Sequence, residues 1–298
     1  MNQTFWKKTA GVTLIELLLA LVISTILTAA IYRSFIGQHR MYYVQQEVAD
    51  MQQNARVAVN RMLREIRMAG FGGKNESLFG ENDILKIFSN VNLYTQIITP
   101  EKDVTTDGIT YDRITVVAAY HLLGTLEADA NKDTAIISVT YNNGVKFSTD
   151  KKKYACINGV FNYEIIPTDS KDINLKVGTK LNEDHKAGSP VFLVEAITYG
   201  LRMVDGIPVL FRDQNTGGGR QTMAENIESL RFRYRVWKKS DKSDGGEVDS
   251  PDLVNYVIVG VRVTLVARTM ENDPELKVGG GFRRRTVETY IDVRNMKS

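Results

Sequence analysis

The sequence predicts an α+β fold: a long N-terminal α-helix, its first half transmembrane, packed by its second half on a β-rich antiparallel-sheet head. Three observations predict it. Residues Gly11 to Tyr32 (GVTLIELLLALVISTILTAAIY) are apolar apart from a few hydroxyls and one charge, Glu16. From Met41 onward, apolar residues recur at helical spacing. The last third of the chain alternates apolar and charged residues with a period of two.

The first stretch has the length of a membrane span, about 20 apolar residues for ~30 Å of hydrocarbon. Beyond it, Val44, Val48, Met51, Ala55, Val59, Met62, Ile66 and Ala69 are spaced by three or four, one stripe of an amphipathic helix. Glu47, Asp50, Arg56, Arg61, Arg64 and Arg67 fall mostly off the stripe. No proline precedes Pro100, so nothing forces a break. Gly70, Gly72 and Gly73 supply a stop. A helix over 12–69 would run ~87 Å at 1.5 Å per residue.

Residues 74–108 read as loop with short elements. Strands are expected over Ile109–Leu123 and Thr134–Tyr141, with shorter ones in Tyr154–Pro167 and Ile173–Val177. Val191–Val204 and Ile207–Phe211 flank Asp205-Gly206, a strong hairpin-turn signal. In Leu230–Trp237, apolar Leu230, Phe232, Tyr234 and Val236 alternate with Arg231, Arg233 and Arg235. Val257–Leu265 and Val287–Val293 alternate likewise. Three such strands predict an antiparallel sheet whose apolar face covers the helix stripe.

With 298 residues and a net charge of +3, the chain is too nearly neutral for its charge alone to imply nucleic acid. Cys156 is the single cysteine, so no internal disulfide forms and the head relies on its apolar core. The three histidines, His39, His121 and His185, have no zinc spacing. No nucleotide-binding fingerprint, nucleophile elbow or other catalytic constellation appears, and no cofactor is expected. Asp129, Asn131 and Asp133 begin like a calcium loop, but Thr134 and Thr140 stand where glycine and glutamate belong, so they are a weak metal candidate. Gly279-Gly280-Gly281 before Arg283–Arg285 reads as a flexible loop, not a phosphate cradle. The acidic stretch Ser240–Asp252 reads as a solvated hairpin tip. The Arg231, Arg233, Arg235 row reads as a solvated face with cross-strand acidic partners, and nucleic acid is not expected as a partner.

Glu16 is the costly residue. A carboxylate within an apolar helix costs about 2.5–3.5 kcal/mol on insertion scales, and a signal peptide, a plain anchor or a buried core helix has no use for it. GVTLIE, preceded by Lys7 and Lys8, resembles the cleavage site of type IV prepilins and type II secretion pseudopilins, with Val12 in place of the usual Phe. The resemblance implies a leader over 1–11, cleavage between Gly11 and Val12 by a prepilin peptidase, and N-methylation of Val12. It also implies that Glu16 pairs with the terminal amine of a neighbouring subunit, a long helix over 12–70 (12–36 membrane-spanning or in the filament core), and a head over 71–298. LREIRMAGF (Leu63–Phe71), AENIESL (Ala224–Leu230) and the ending around Val293, Arg294 and Asn295 resemble PilW-type minor pilins.

The expectation is therefore a non-enzymatic assembly component. It starts in the inner membrane with its head in the periplasm and ends at the cell surface, at the pilus tip. Its expected partners are other minor and major pilins, with a tip adhesin among the candidates. The alternatives are a J-type minor pseudopilin, a membrane-tethered adhesive or binding module, and a secreted enzyme with a signal peptide.

Overall fold

The computed structural model describes residues 11–72, 96–142, 154–159, 161–166, 172–175, 180–181, 183–215, 219–273 and 275–296. Lys7 and Lys8 in the leader, Gly73, most of the stretch read as loop, Pro167, and the end of the Ile173–Val177 strand lie outside them. The chain forms the predicted α+β fold, one long helix followed by a β-rich antiparallel head. By contacts it divides into two compact units, Met1–Asp50 and Met51–Ser298.

Helix α1 spans Leu14–Met68, 55 residues without interruption. Its apolar N-terminal half exposes its side chains, with Leu14 at 79%. It is the one helix among the described residues long and apolar enough to cross a membrane. Its hydroxyls do not disturb that surface. Those of Ser24 and Thr28 donate to the carbonyls of Ala20 and Ser24, both at 2.7 Å, and Thr25 donates to Leu21. In the second unit, Met51, Ala55, Val59, Met62, Ile66 and Ala69 of the predicted stripe are buried, together with Ala58.

The helix stops at Gly70, whose φ of 80° suits a left-handed cap. The Phe71 N–H donates back to Met68 O at 2.9 Å. Asn295, near the chain's end, donates its side-chain amide to Met68 O and Ala69 O at 3.2 and 3.3 Å, covering helix carbonyls that have no partner within the helix. The chain then binds directly to the sheet. Gly70 N–H donates to Val117 O at 2.9 Å, and Ala119 N–H to Phe71 O at 2.8 Å. At Gly72, with φ +100°, a Cβ would meet Ala119 Cβ at 2.6 Å, so only glycine permits this approach.

The strands are β1 (Ile98–Thr106), β2 (Ile109–Leu126), β3 (Ile136–Tyr141), β4 (Tyr154–Ile157), β5 (Phe161–Ile166), β6 (Asp172–Leu175), β7 (Pro190–Val204), β8 (Ile207–Asp213), β9 (Arg220–Glu225), β10 (Ile227–Lys238), β11 (Asp244–Val248), β12 (Tyr256–Arg268) and β13 (Arg284–Asp292). They form a nine-stranded sheet, β1-β2-β3-β6-β5-β4-β7-β8-β9, and a four-stranded sheet, β11-β10-β12-β13. The predicted β7–β8 hairpin forms, with Asp205 at φ 51° and Gly206 at φ 80° as a two-residue turn requires.

β2 and β7 also pair directly, so β2, β3, β6, β5, β4 and β7 close a circuit. The cluster that includes Leu123, Ile137, Val139, Ile157, Tyr163 and Leu193 is formed by these strands. Cys156 is also fully buried, and burial pushes its thiol up to about 12, as an inert structural cysteine requires.

Three findings differ from the expectation. β1 runs through a stretch read as loop, β11 runs through the acidic stretch read as a hairpin tip, and β9 was not expected. All three lie at sheet edges, where polar residues, Pro100 and paired glycines are tolerated and the apolar alternation is weak. The hydrogen bonds that fix the helix end run to β2, β7, β8 and Asn295. The four-stranded sheet packs through β10 on β2, β7 and β8. Asp112 on β2 joins the two sheets, accepting from Phe232 N–H at 3.0 Å and from Arg231 at 2.9 Å.

Gly72→Ala is expected to destabilise the head by about 1–3 kcal/mol, from strained backbone and forced displacement of Ala119. A shift in the midpoint of urea unfolding of the detergent-solubilised protein, against Gly108→Ala at a turn with open space, checks this.

Candidate assembly site

The predicted assembly residues sit together at the start of α1. Gly11, Val12 and Thr13 precede the first helical residue. Glu16 reaches back one turn. Its Oε2 accepts the Thr13 backbone N–H at 2.8 Å and the Thr13 hydroxyl at 3.0 Å, and Thr13 Oγ1 faces the Glu16 N–H at 3.4 Å. This is a capping box, in which threonine and glutamate three residues apart satisfy each other's orphan N–H groups. The T-x-x-E spacing in the sequence carried this signal, which the cost argument for Glu16 passed over. Oε2 takes both bonds, so Oε1 is the oxygen left to accept from another molecule.

At the other end of α1, sequence reasoning saw only a capped helix with a local ion pair. Arg61 does stand 3.8 Å from Glu65, but the stronger partner is distant in sequence. Arg212 on β8, 1% exposed, donates Nε to both Glu65 oxygens at 3.0 and 3.1 Å. Tyr199 on β7 donates its hydroxyl to Glu65 Oε2. Tyr120 on β2 donates to the Glu65 carbonyl at 3.0 Å. The register of β2 against β7 shifts between Ala119 and His121, and such a bulge re-aims a side chain; here Tyr120 meets the helix.

Burial, reinforced by the Glu65 charge, holds the Tyr199 hydroxyl well above its ordinary range. For Arg212, burial favours proton loss, but the bond to Glu65 and the electrostatic attraction of Glu65, Tyr199 and Glu195 together outweigh it and the pKa rises. Arg212 Nη2 is buried with no hydrogen-bond partner. Next to this cluster, His121 Nδ1–H donates to Glu195 Oε2 at 2.8 Å, and that bond raises the histidine pKa. Gln214 donates to Glu195 Oε1 at 3.2 Å.

The other sequence candidates are occupied by local partners. Asp129 accepts from Lys186 at 2.7 Å and Ala187 N–H at 2.9 Å, and no group of metal-binding side chains converges among the described residues. In the arginine row, Arg231 pairs with Asp103 and Asp112, Arg233 with Asp249 at 2.8 Å, and Arg235 with Asp244 at 2.6 Å. The acids of β11 thus face the basic row. At the triple glycine, Gly279–Gly281 is a 3-10 turn whose Gly279 carbonyl accepts from Arg284; it points an acceptor, not N–H donors, at the cation.

Removing one partner of the Glu65–Arg212 pair leaves an uncompensated charge in the head. Glu65→Gln and Arg212→Met are each expected to destabilise by about 3–5 kcal/mol. The double variant should lose less than the sum of the two, as a double-mutant cycle in urea unfolding would measure.

Two histidines set opposite pH slopes. His185, 2% exposed and bonded to the Tyr163 hydroxyl at 2.9 Å, has its pKa lowered by burial. The unfolded chain therefore binds its proton more readily, and stability falls as pH drops below 6.5, the ordinary histidine value. His121, raised by Glu195, contributes stability fully present below 6.5 and lost as pH rises through its folded pKa. Between pH 5 and 8, where histidine is the main titrating side chain, unfolding midpoints should pass through a maximum near 6.5. Glu195→Gln should flatten the alkaline side only.

Residues 6–32 match the family model of the prokaryotic N-terminal methylation motif. No curated protein and no solved structure matches the chain. The match covers Gly11, Val12 and Glu16, and it points to processing by a prepilin peptidase and assembly with other pilins. It also fits anchoring of α1 in the inner membrane before assembly. The motif over 6–32 and the exposed apolar helix that it opens together support a type IV pilin-like or pseudopilin-like prepilin, a structural class and not an enzymatic one.

Proposed function

We propose that this chain is a minor pilin of a type IV pilus, of the PilW type, that primes or caps the filament. One observation carries the reading: Glu16 is the sole charge between Gly11 and Tyr32, in an apolar helical surface that the described residues leave uncovered. Such a surface requires lipid or other apolar helices. A carboxylate in it requires a cation, and none of the described residues supplies one.

Cleavage after Gly11 creates an amine at Val12, and methylation keeps it cationic. In a bundle of like helices, the amine of one subunit meets the free Oε1 of Glu16 on the next. Thr13 holds Oε2 and so fixes the rotamer that presents Oε1. The contact is head-to-tail and does not close on itself, which is the condition for a filament. Lys7 and Lys8 favour a leader on the cytoplasmic side and with it a head in the periplasm. The head over 71–298 would crowd a densely packed shaft, which favours a tip or priming complex with other minor pilins. The dense charge pairing on its sheets favours protein–protein contact over nucleic acid. On this reading Gly11 and Val12 are processing residues, Glu16 is the assembly residue, and no residue is catalytic.

The intact mass of the mature protein should correspond to residues 12–298 with one added methyl group. Glu16→Ala should leave that mass change and membrane insertion intact but abolish incorporation into filaments, as immunoblots of sheared pili would show. A wild-type chain absent from sheared pili, with function that Glu16→Ala leaves unchanged, would instead identify a tethered module for which the helix is only an anchor.

A further inference from the structure

An open pocket of about 300 Å³ lies beside the Glu65 cluster, lined by Arg61, Arg64, Glu65 and Met68 of α1 and by Tyr120 and His121 of β2. Its charges are not balanced. Glu65 is already committed to Arg212 and Tyr199. Glu195, behind His121, is committed to His121 and Gln214. Arg64 is exposed and has no acidic partner among the described residues, and Arg61 is held only at 3.8 Å by an acid that has a closer cation. Arg56 and Arg67 lie on the same solvent side of the helix and also lack acidic partners among the described residues. Over Met51–Met68 the only acidic residue is Glu65.

The walls suit a carboxylate. Two guanidiniums offer forked donors, His121 adds a third polar group, and Met68 and the Tyr120 ring give apolar surface for the methylenes of an acidic side chain. The acid–base partners elsewhere on the head are taken up locally, on β10 by Asp103, Asp112, Asp244 and Asp249 and on β12 by Glu247 and Glu288. The basic face of the helix has no such acids of its own among the described residues.

We propose that this pocket docks an aspartate or glutamate side chain of a neighbouring pilin subunit, and so fixes the head of this subunit against the next. The inference rests on the pilin reading above and deepens it. Glu16 then sets the register in the apolar bundle, and Arg61 and Arg64 set it between heads. The hydrogen bond to Glu195 keeps His121 protonated to higher pH, which favours an anionic guest.

The test uses the full-length protein in assembling cells, with a photo-crosslinking residue at Asn60, which is exposed one turn before Arg64. The expected product joins Asn60 to a peptide that carries Asp or Glu and comes from another chain with the N-terminal methylation motif. Arg64→Glu should lower incorporation about tenfold or more, the scale of one lost charge-assisted bond, while cleavage after Gly11 proceeds. Arg64→Lys should retain most incorporation. Reversing the cross-linked acid to Lys should rescue Arg64→Glu.

Wild-type incorporation of Arg64→Glu overturns the proposal, as does a cross-link confined to nucleic acid, lipid or a peptide without an acid, or no cross-link at all. Glu16→Ala in the same assay separates the two ideas. If Glu16→Ala is excluded and Arg64→Glu is not, only the pocket assignment fails. If both incorporate normally, the assembly role of Glu16 fails with the pocket assignment, and if the wild-type chain is itself absent from filaments, the pilin reading fails.

Discussion

The buried bond between Glu65 and Arg212 is the interaction on which the head depends. It joins the last turns of α1 to β8, 147 residues further along the chain. Desolvating both ions is expensive, and their attraction repays it only when the remaining polar groups are also satisfied. Tyr199 and Tyr120 do most of that, one on the carboxylate and one on the adjacent carbonyl. An apolar pair of similar volume could match the stability. What the ion pair adds is uniqueness, since a stripe of Met, Ala, Val and Ile can slide along a sheet by a turn, whereas a carboxylate held by both Arg212 and Tyr199 cannot.

That fixed register explains how one helix serves two environments. Its C-terminal portion is locked by Glu65, by the Asn295 cap and by the hydrogen bonds of Gly70 and Phe71 to β2. The apolar residues of its N-terminal portion, from Leu14 to Ile36, are exposed among the described residues. No proline or glycine cap interrupts the run between them. The acid at each end is satisfied differently. Glu65 has its cation from within the fold, while Glu16 has, among the described residues, only the neutral donors of Thr13, which orient it without cancelling its charge.

Much of this was legible in the sequence because the signals were local. The Asp205-Gly206 turn and the alternation in β10, β12 and β13 each declare themselves within a dozen residues and form where expected, and the helix stripe is buried from Met51 on, while its first members Val44 and Val48 stay half-buried. The cost of Glu16 was readable for the same reason. What escaped was either weakly patterned or long-range. β1, β9 and β11 occupy edges where water tolerates polar residues. The circuit through β2 and β7 depends on pairings between segments some eighty residues apart. Glu65 looked like one member of a basic helix end because its partners, Tyr199 and Arg212, lie far off and carry no motif of their own.

The distribution of charge follows from the same division of labour. On the sheets, arginines and acids alternate on facing strands and neutralise one another. Arg262 alone bridges Glu247 at 2.8 Å and Glu288 at 2.7 Å, tying β11 and β13 across the strands between them. These pairs are exposed and individually weak, so their effect lies in what they exclude. A face of matched charges offers no net field to a polyanion and no unpaired cation to a stray acid. The basic side of α1 is built the other way, with arginines at 56, 61, 64 and 67 and one acid that faces inward. Where one surface of a head is matched and another is not, association is steered to the unmatched one, and here that surface lies on the same helix that carries Glu16.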